Sequence, residues 1–231
     1  MSRTYCCSCQ LPQAACLCAY VRPQPCPMPV IIYQHPLEAK HAKSTVPLLR
    51  LSVPDIRVEV AETLTPPPTL ADGDWWLLYP DAAALDIDTQ QHSLLAVKRS
   101  ASELAADKLS AAKLSTGMQT ETMPLTAMQT NNRQIGGLIV LDGTWRKTRL
   151  LLHLNPWLKA LPTLSFSQAP ASAYAIRKGP GGQALSTLES VCHVLHKLHP
   201  EFSPAPLLAL LQVRVGQFQA HKGSAPQTGA K

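Results

Sequence analysis

Residues Gly136-Gly137-Leu138-Ile139-Val140-Leu141 form a continuous apolar run with no polar residue to face water. Such a run belongs in a strand covered on both faces, the situation of a parallel sheet flanked by helices. Val30-Ile31-Ile32-Tyr33 reads as a buried strand, and Trp75-Trp76-Leu77-Leu78-Tyr79 is the next strand candidate, ended by Pro80-Asp81. Ile56 to Val60 and the stretch around Leu164 and Phe166 predict shorter strands. Helical spacing fills the intervals. Ala42 to Leu51 carries Leu48, Leu49 and Leu51, with Pro47 near its start, and Thr144 to Leu154 stops at Asn155-Pro156. Ser186 with Glu189 three residues on is a capping box that opens a helix to about Leu198, and Pro206 to Gln219 is a second one. Strands alternating with helices predict an α/β fold.

The chain has 231 residues, enough for one large domain with a small appendage. The appendage is predicted at residues 1–27, rich in Cys and Pro and without periodicity; residues 28–231 form the main domain. Thr65-Pro66-Pro67-Pro68-Thr69 is a stiff connector, and a polar turn is expected at His35-Pro36. Residues 98–134 contain no aromatic side chain and are rich in Ala, Ser, Thr, Gln and Met, which predicts an atypical polar insertion with a weak helix over Glu103 to Leu114.

Charge is distributed unevenly. Net charge is +2 over residues 1–65, −3 over 66–135 and +7 over 136–231. The total of +6 excludes an acidic solvating chain, and the basic last third suits a polyanionic partner or a solvated basic surface. No segment approaches the roughly 20 apolar residues of a membrane span, and Met1 to Cys7 has no apolar signal region. A cytoplasmic protein with reduced thiols, no membrane contact and no obligate protein partner is expected.

Six of the seven cysteines lie in the first 26 residues. The spacing Cys6-x2-Cys9-x6-Cys16-x-Cys18 brings four thiolates together if the chain folds back at Leu11-Pro12, and four sulfurs close a tetrahedral structural Zn2+ site. Reactive or disulfide-bonded thiols are the competing reading, which a reducing compartment disfavours.

Asp142-Gly143-Thr144-Trp145 stands where the best strand ends and a helix begins, the place where open α/β sheets bind ligands. Asp142 there acts as a base or binds a polar ligand group, or is an ordinary helix cap. His35 is a catalytic or phosphate-binding candidate and equally a turn residue. Glu189, His193 and His196 share a helix face, a metal-ligand geometry on paper, although surface histidines opposite a core face of Val191, Leu195 and Leu198 are the plainer reading.

These pieces together resemble the DTW-domain family, the tRNA-uridine aminocarboxypropyltransferases. The resemblance is carried by Asp142-Gly143-Thr144-Trp145, the Cys-x2-Cys and Cys-x-Cys pairs, Gln34-His35-Pro36-Leu37-Glu38 followed by Ser44-Thr45, Leu78-Tyr79-Pro80, Arg177-Lys178, and Leu185-Ser186-Thr187-Leu188-Glu189. They occur in the family's order from residue 6 to about 195; residues 98–134 have no counterpart. The resemblance implies a SPOUT-like fold, with a mostly parallel sheet and a knotted C-terminal region. It also implies transfer of the 3-amino-3-carboxypropyl group of S-adenosyl-L-methionine to N3 of a uridine in the tRNA variable loop.

That chemistry assigns roles. Uridine N3 is a poor nucleophile until its proton is lost, so Asp142 is the candidate catalytic base. Tyr79, Pro80, Leu141, Thr144, Trp145, Ser186, Thr187 and Glu189 are the candidate cofactor-binding residues, with the N–H groups of the Ser186 helix offered to a carboxylate and Gly179, Gly181 and Gly182 loosening the loop before it. Lys40, Lys43, Arg146, Lys147, Arg149, Arg177 and Lys178 are the candidate RNA contacts, with His41 beside the first two. An S-adenosylmethionine-dependent RNA methyltransferase of SPOUT type and a noncatalytic zinc-dependent RNA-binding protein are the alternatives.

Overall fold

The computed structural model of the chain describes residues 4–72, 74–89, 135–174 and 185–223. The expected insertion at 98–134 and the loop carrying Arg177, Lys178 and Gly179 to Gly182 lie outside them. At the centre is a six-stranded, all-parallel sheet in the order β2-β1-β5-β3-β6-β4. Its strands are β1 (Val30–Gln34), β2 (Arg57–Val60), β3 (Trp75–Leu78), β4 (Leu85–Asp86), β5 (Gly137–Asp142) and β6 (Thr163–Ser165). The helices are α1 (Pro36–Ala39), α2 (Val46–Ser52), α3 (Trp145–Leu154), α4 (Thr187–Leu198) and α5 (Ala205–Gly223).

Every residue of β5 is buried, as its unbroken apolar sequence requires. Its alternate side chains enter two cores, since successive residues of a strand point to opposite faces. Leu138 and Val140 join Val30, Ile32 and Trp76 against Leu49 of α2, Leu195 of α4 and Leu211 of α5. Ile139 and Leu141 join Ile31, Tyr33, Trp75 and Leu77 against Leu151 of α3 and Leu158. Three helices thus cover one face of the sheet and α3 the other.

Within the described residues the expected strands and helices are present, with differences that have physical reasons; the weak helix expected over Glu103 to Leu114 lies outside them. The helix anticipated from Ala42 begins at Val46, which places Pro47 in its first turn. A proline is harmless only there, because deeper in a helix its ring collides with the preceding turn and its missing N–H breaks the ladder. The turn at His35-Pro36 tightens into α1, capped by the His35 ring, whose Nδ1 accepts the Leu37 N–H at 3.2 Å. The Pro-rich connector runs into a 3-10 turn over Pro68–Asp72. Strand β4, two residues long, is too short to leave a periodic signal in sequence.

The cysteine-rich segment folds as a knuckle of two 3-10 turns, Gln13–Ala15 and Cys18–Tyr20, closed by a bridge between Tyr5 and Pro12. Gln10 takes the left-handed conformation (φ 58°) that lets the chain reverse after Cys9. Leu17 is fully buried within the helical-side core, so the knuckle is docked on the main body.

Gly137 allows β3 and β5 to approach with an indole between them: a Cβ at this position would lie 2.5 Å from Trp75 Cε3. Gly137→Ala is therefore expected to destabilise the fold by about 1–3 kcal/mol through overpacking. The urea midpoint should fall at unchanged m-value, and a wild-type midpoint would show that the ring has room to move.

Candidate active site and metal centre

The register of the sheet builds the first half of the site. β1 and β5 are parallel and pair Gln34 directly with Asp142, at the C-terminal ends of both strands. Gln34 Nε2 donates to Asp142 Oδ2 at 2.7 Å and to Ser44 Oγ at 3.0 Å. The second half comes from α4, where Thr187 Oγ1 donates to Asp142 Oδ1. The aspartate is 4% exposed and both of its oxygens hold a donor. The N-cap of α3 is Thr144, so Asp142 is not that helix's cap; its carboxylate joins β1, β5 and α4. The next residue, Gly143, sits where a Cβ would press on Lys147 Cβ at 3.1 Å.

Beside this junction a cleft of about 530 Å³ opens at the C-terminal edge of the sheet, a size ordinary for a small-molecule site. Its floor is made by Leu78, Val140, Leu141 and Leu164, at the ends of three neighbouring strands. Tyr79 and Pro80, Thr144 and Trp145, Phe166 and Ser167, and Ser186 and Thr187 form the walls. Seven of the eight expected cofactor-binding residues are therefore gathered on one surface. Trp145 leaves 48% of its area exposed and meets Tyr79 edge to face, with ring centroids 6.1 Å apart.

Glu189, the eighth, is turned away. Its carboxylate accepts the Ser186 N–H at 2.8 Å in the expected capping box, and also Ser172 Oγ at 2.9 Å and the Ala173 N–H at 2.7 Å. It pins the strip that leads to Tyr174, whose hydroxyl donates to the Lys43 carbonyl at 2.6 Å. The N–H groups of Leu188 and Glu189 are taken by Thr45 Oγ1 and Ser186 Oγ, which narrows what α4 can offer to a ligand.

Asp88, just beyond β4, carries no motif, and sequence reasoning missed it. Its side chain is fully buried and accepts the N–H groups of Ser167 and Gln168, on the cleft wall after β6, at 3.1 and 2.7 Å. His193 and Lys197 of α4 approach the same carboxylate at 3.0 and 3.1 Å. Burial works against its charge, yet the Gln168 N–H, the ammonium and the imidazole together hold its pKa below the usual carboxylate value. The paper metal triad separates accordingly: Glu189 serves Ser186 and Ser172, His193 serves Asp88, and His196 Nδ1 meets the Phe202 carbonyl at 2.9 Å. His35 is likewise occupied, with Nε2 3.3 Å from Glu62 Oε1.

Among the candidate RNA contacts, Lys40, Arg146 and Arg149 are exposed and Lys43 lines the cleft. Lys147 is committed to Glu38, a buried carboxylate 2.8 Å from its ammonium, and so ties α3 to α1.

The cysteine cluster is compact. The sulfurs of Cys6, Cys9, Cys16 and Cys18 all lie within 4.8 Å of one another, and the Cys6–Cys18 and Cys9–Cys16 pairs are each 3.7 Å apart. A tetrahedral zinc–thiolate centre has sulfur–sulfur edges of roughly 3.8 Å, so these residues fit the ion. None of the seven cysteines is in a disulfide.

Freshly purified protein should carry about one zinc per chain, lost in Cys16→Ser. Because Leu17 lies in the core between two of these cysteines, chelation should also lower the melting temperature. Protein that is zinc-free and melts unchanged would refute the assignment. Breaking the second cluster by Asp88→Ala should cost on the order of 3 kcal/mol at neutral pH, because two backbone N–H groups lose their acceptor and the pairings with His193 and Lys197 are broken. An aspartate with lowered folded-state pKa contributes stability above its unfolded value of about 3.9 and loses it as pH falls through the folded value. The stability difference between wild type and Asp88→Ala, measured by urea titration, should therefore shrink below about pH 4; a gap that persists or widens would contradict this.

The family model described as the DTW domain matches residues 3–219. tRNA-uridine aminocarboxypropyltransferase 2 of Mus musculus is 26% identical over 200 residues, covering 81% of this chain and 54% of that protein. The protein of the same name from Macaca fascicularis is 24% identical over 233 positions, covering 96% of this chain and 65% of that protein. The chain thus matches about half to two thirds of the length of these curated relatives. No solved structure matches it. With the family model running over nearly its whole length, and Gly143, Thr144 and Trp145 of its Asp142-Gly143-Thr144-Trp145 sequence lining the cleft, the chain belongs to the DTW domain family.

Proposed function

We propose that this protein is a tRNA-uridine aminocarboxypropyltransferase. It moves the 3-amino-3-carboxypropyl group of S-adenosyl-L-methionine to N3 of a uridine in the tRNA variable loop. The observation that carries the reading is the buried Asp142 carboxylate, held at the edge of a cleft that ends three parallel strands.

The cleft suits such a co-substrate. Tyr79, Trp145, Phe166 and Tyr174 give it aromatic surface, to which a cationic sulfonium and a nucleobase are both attracted. Among the described residues Lys43 stands on its wall and no carboxylate does, which favours a ligand carrying a carboxylate of its own. S-adenosyl-L-methionine supplies carbon electrophiles activated by the sulfonium, and the site selects among them by position. Tyr79, Pro80, Leu141, Thr144, Trp145 and Ser186 hold and orient it, and Thr187 lines the same wall with its hydroxyl on Asp142. Asp142 is the acceptor of the N3 proton.

The target base must leave its stack to reach this depth, which a tRNA loop permits. The open indole of Trp145 is offered to it beside exposed Arg146 and Arg149, while Lys40 and Lys43 extend the basic surface toward phosphates; Arg177 and Lys178, outside the described residues, are assigned the same role from the sequence. Lys147 contributes through Glu38, by holding α3 in place. Zn2+ at the four cysteines is structural, as four sulfur ligands leave no open position. The SPOUT-like reading is supported by the all-parallel sheet and by the return of α4 to Asp142 beneath the cleft. A cytoplasmic location follows from the substrate, and among the described residues no helix is long and apolar enough to cross a membrane.

The direct test is nucleoside mass spectrometry of tRNA from cells lacking the gene. One uridine should lose the mass of an aminocarboxypropyl group; loss of a methyl group instead would establish the methyltransferase alternative, and unaltered nucleosides would leave only a binding protein. With purified protein, Asp142→Asn should lower turnover by about 100-fold or more while S-adenosylmethionine binding, read by calorimetry, persists. Near-wild-type turnover would remove Asp142 from the chemistry.

A further inference from the structure

We infer that the proton leaving uridine N3 does not pass directly to Asp142 but through the hydroxyl of Thr187, which makes Thr187 a catalytic residue. The inference rests on the transferase reading above and adds to it the route of the proton.

Asp142 is badly placed to meet a substrate itself. Its side chain is almost wholly buried, and it is Thr187, not Asp142, that lines the cleft. Gln34 Nε2 occupies Oδ2 at 2.7 Å, and the Thr187 O–H occupies Oδ1. A threonine hydroxyl has one proton and two lone pairs. With its proton directed at Asp142, Thr187 turns an acceptor toward the cleft, and that is what an acidic N–H requires.

The step balances without any further reagent. The N3–H bond breaks and that proton bonds to Thr187 Oγ1. The original Thr187 O–H bond breaks and its proton bonds to Asp142 Oδ1. The electron pair stays on N3, where it becomes the nucleophile, and Asp142 ends as the neutral acid. After product leaves, the same hydroxyl returns the proton to water.

The neighbouring residues fix this relay. Thr187 is the first residue of α4, locked by the capping box of Ser186 and Glu189 and by Thr45 Oγ1 on the next N–H. Gln34 is set by sheet register and by Ser44. Its amide N–H occupies Oδ2 and leaves Oδ1, the oxygen facing Thr187, to receive the proton.

The experiment compares single-turnover rates of the full chain on a tRNA substrate at saturating S-adenosylmethionine. Thr187→Val keeps the branched shape and removes the hydroxyl; Thr187→Ser keeps the hydroxyl. Thr187→Val should be slower by about 100-fold or more with substrate affinities within a few-fold of wild type, and Thr187→Ser should recover at least about a tenth of the wild-type rate. Adding Thr187→Val to Asp142→Asn should slow the reaction by less than about three-fold, as for groups acting in series. Raising pH should rescue both single variants in parallel, because ionised uridine no longer needs the relay. Thr187→Val at a near-wild-type rate, a multiplicative double variant, or loss of S-adenosylmethionine binding by Thr187→Val in calorimetry would overturn the relay while leaving the transferase reading intact. A wild-type protein that transfers nothing would overturn both.

Discussion

A strand that can tolerate water on neither face sets the terms for everything else. β5 must lie inside the sheet with helices above and below it, and parallel neighbours on both sides satisfy its backbone. Parallel pairing then points the C-terminal ends of β1, β3, β5 and β6 at one edge. The register with β1 is fixed by the cores on both faces, since a slip of one residue would exchange Ile31 and Ile139 with Ile32 and Val140. The same register delivers Gln34 beside Asp142. Sheet packing and site assembly are thus one constraint.

What the sheet does not supply, a few polar tethers do. Glu189 holds the Ser172 to Tyr174 strip, Tyr174 reaches the Lys43 carbonyl, and Asp88 gathers the wall after β6 together with α4. Each tether joins distant parts of the sequence around one cavity. Buried carboxylates in such positions are stable only with several donors, and here each has them. The cleft walls are consequently held from behind, leaving aromatic and hydroxyl groups to face the ligand. That division suits a reaction whose outcome depends on which carbon is presented to the nucleophile.

Much of this was legible in the residues. The apolar run at 136–141 announced a strand buried in a parallel sheet, those at 30–33 and 75–79 announced strands, and the Ser186–Glu189 capping box marked the start of α4. Cysteine spacing announced the compact sulfur cluster, because a ligand set close in sequence needs only one chain reversal to assemble. Partners far apart in sequence were not legible. Asp88 lies in a short acidic stretch with no periodicity, and its contacts span some 80 to 109 residues, as does the link of Lys147 to Glu38. Glu189 has one signal and two roles: the capping box was visible, and the grip on Ser172 was not. Thr187 was read as a ligand contact because nothing local indicates that its hydroxyl faces Asp142, 45 positions earlier.

The central claim is that this cleft directs the larger arm of the sulfonium, not its methyl group, onto RNA. It is tested most directly with S-adenosylmethionine labelled separately in its methyl and carboxyl carbons, incubated with the purified protein and unmodified tRNA. The account predicts that the carboxyl label enters the tRNA and the methyl label stays with the small molecules. Methyl label in the tRNA, or neither label there, would contradict it.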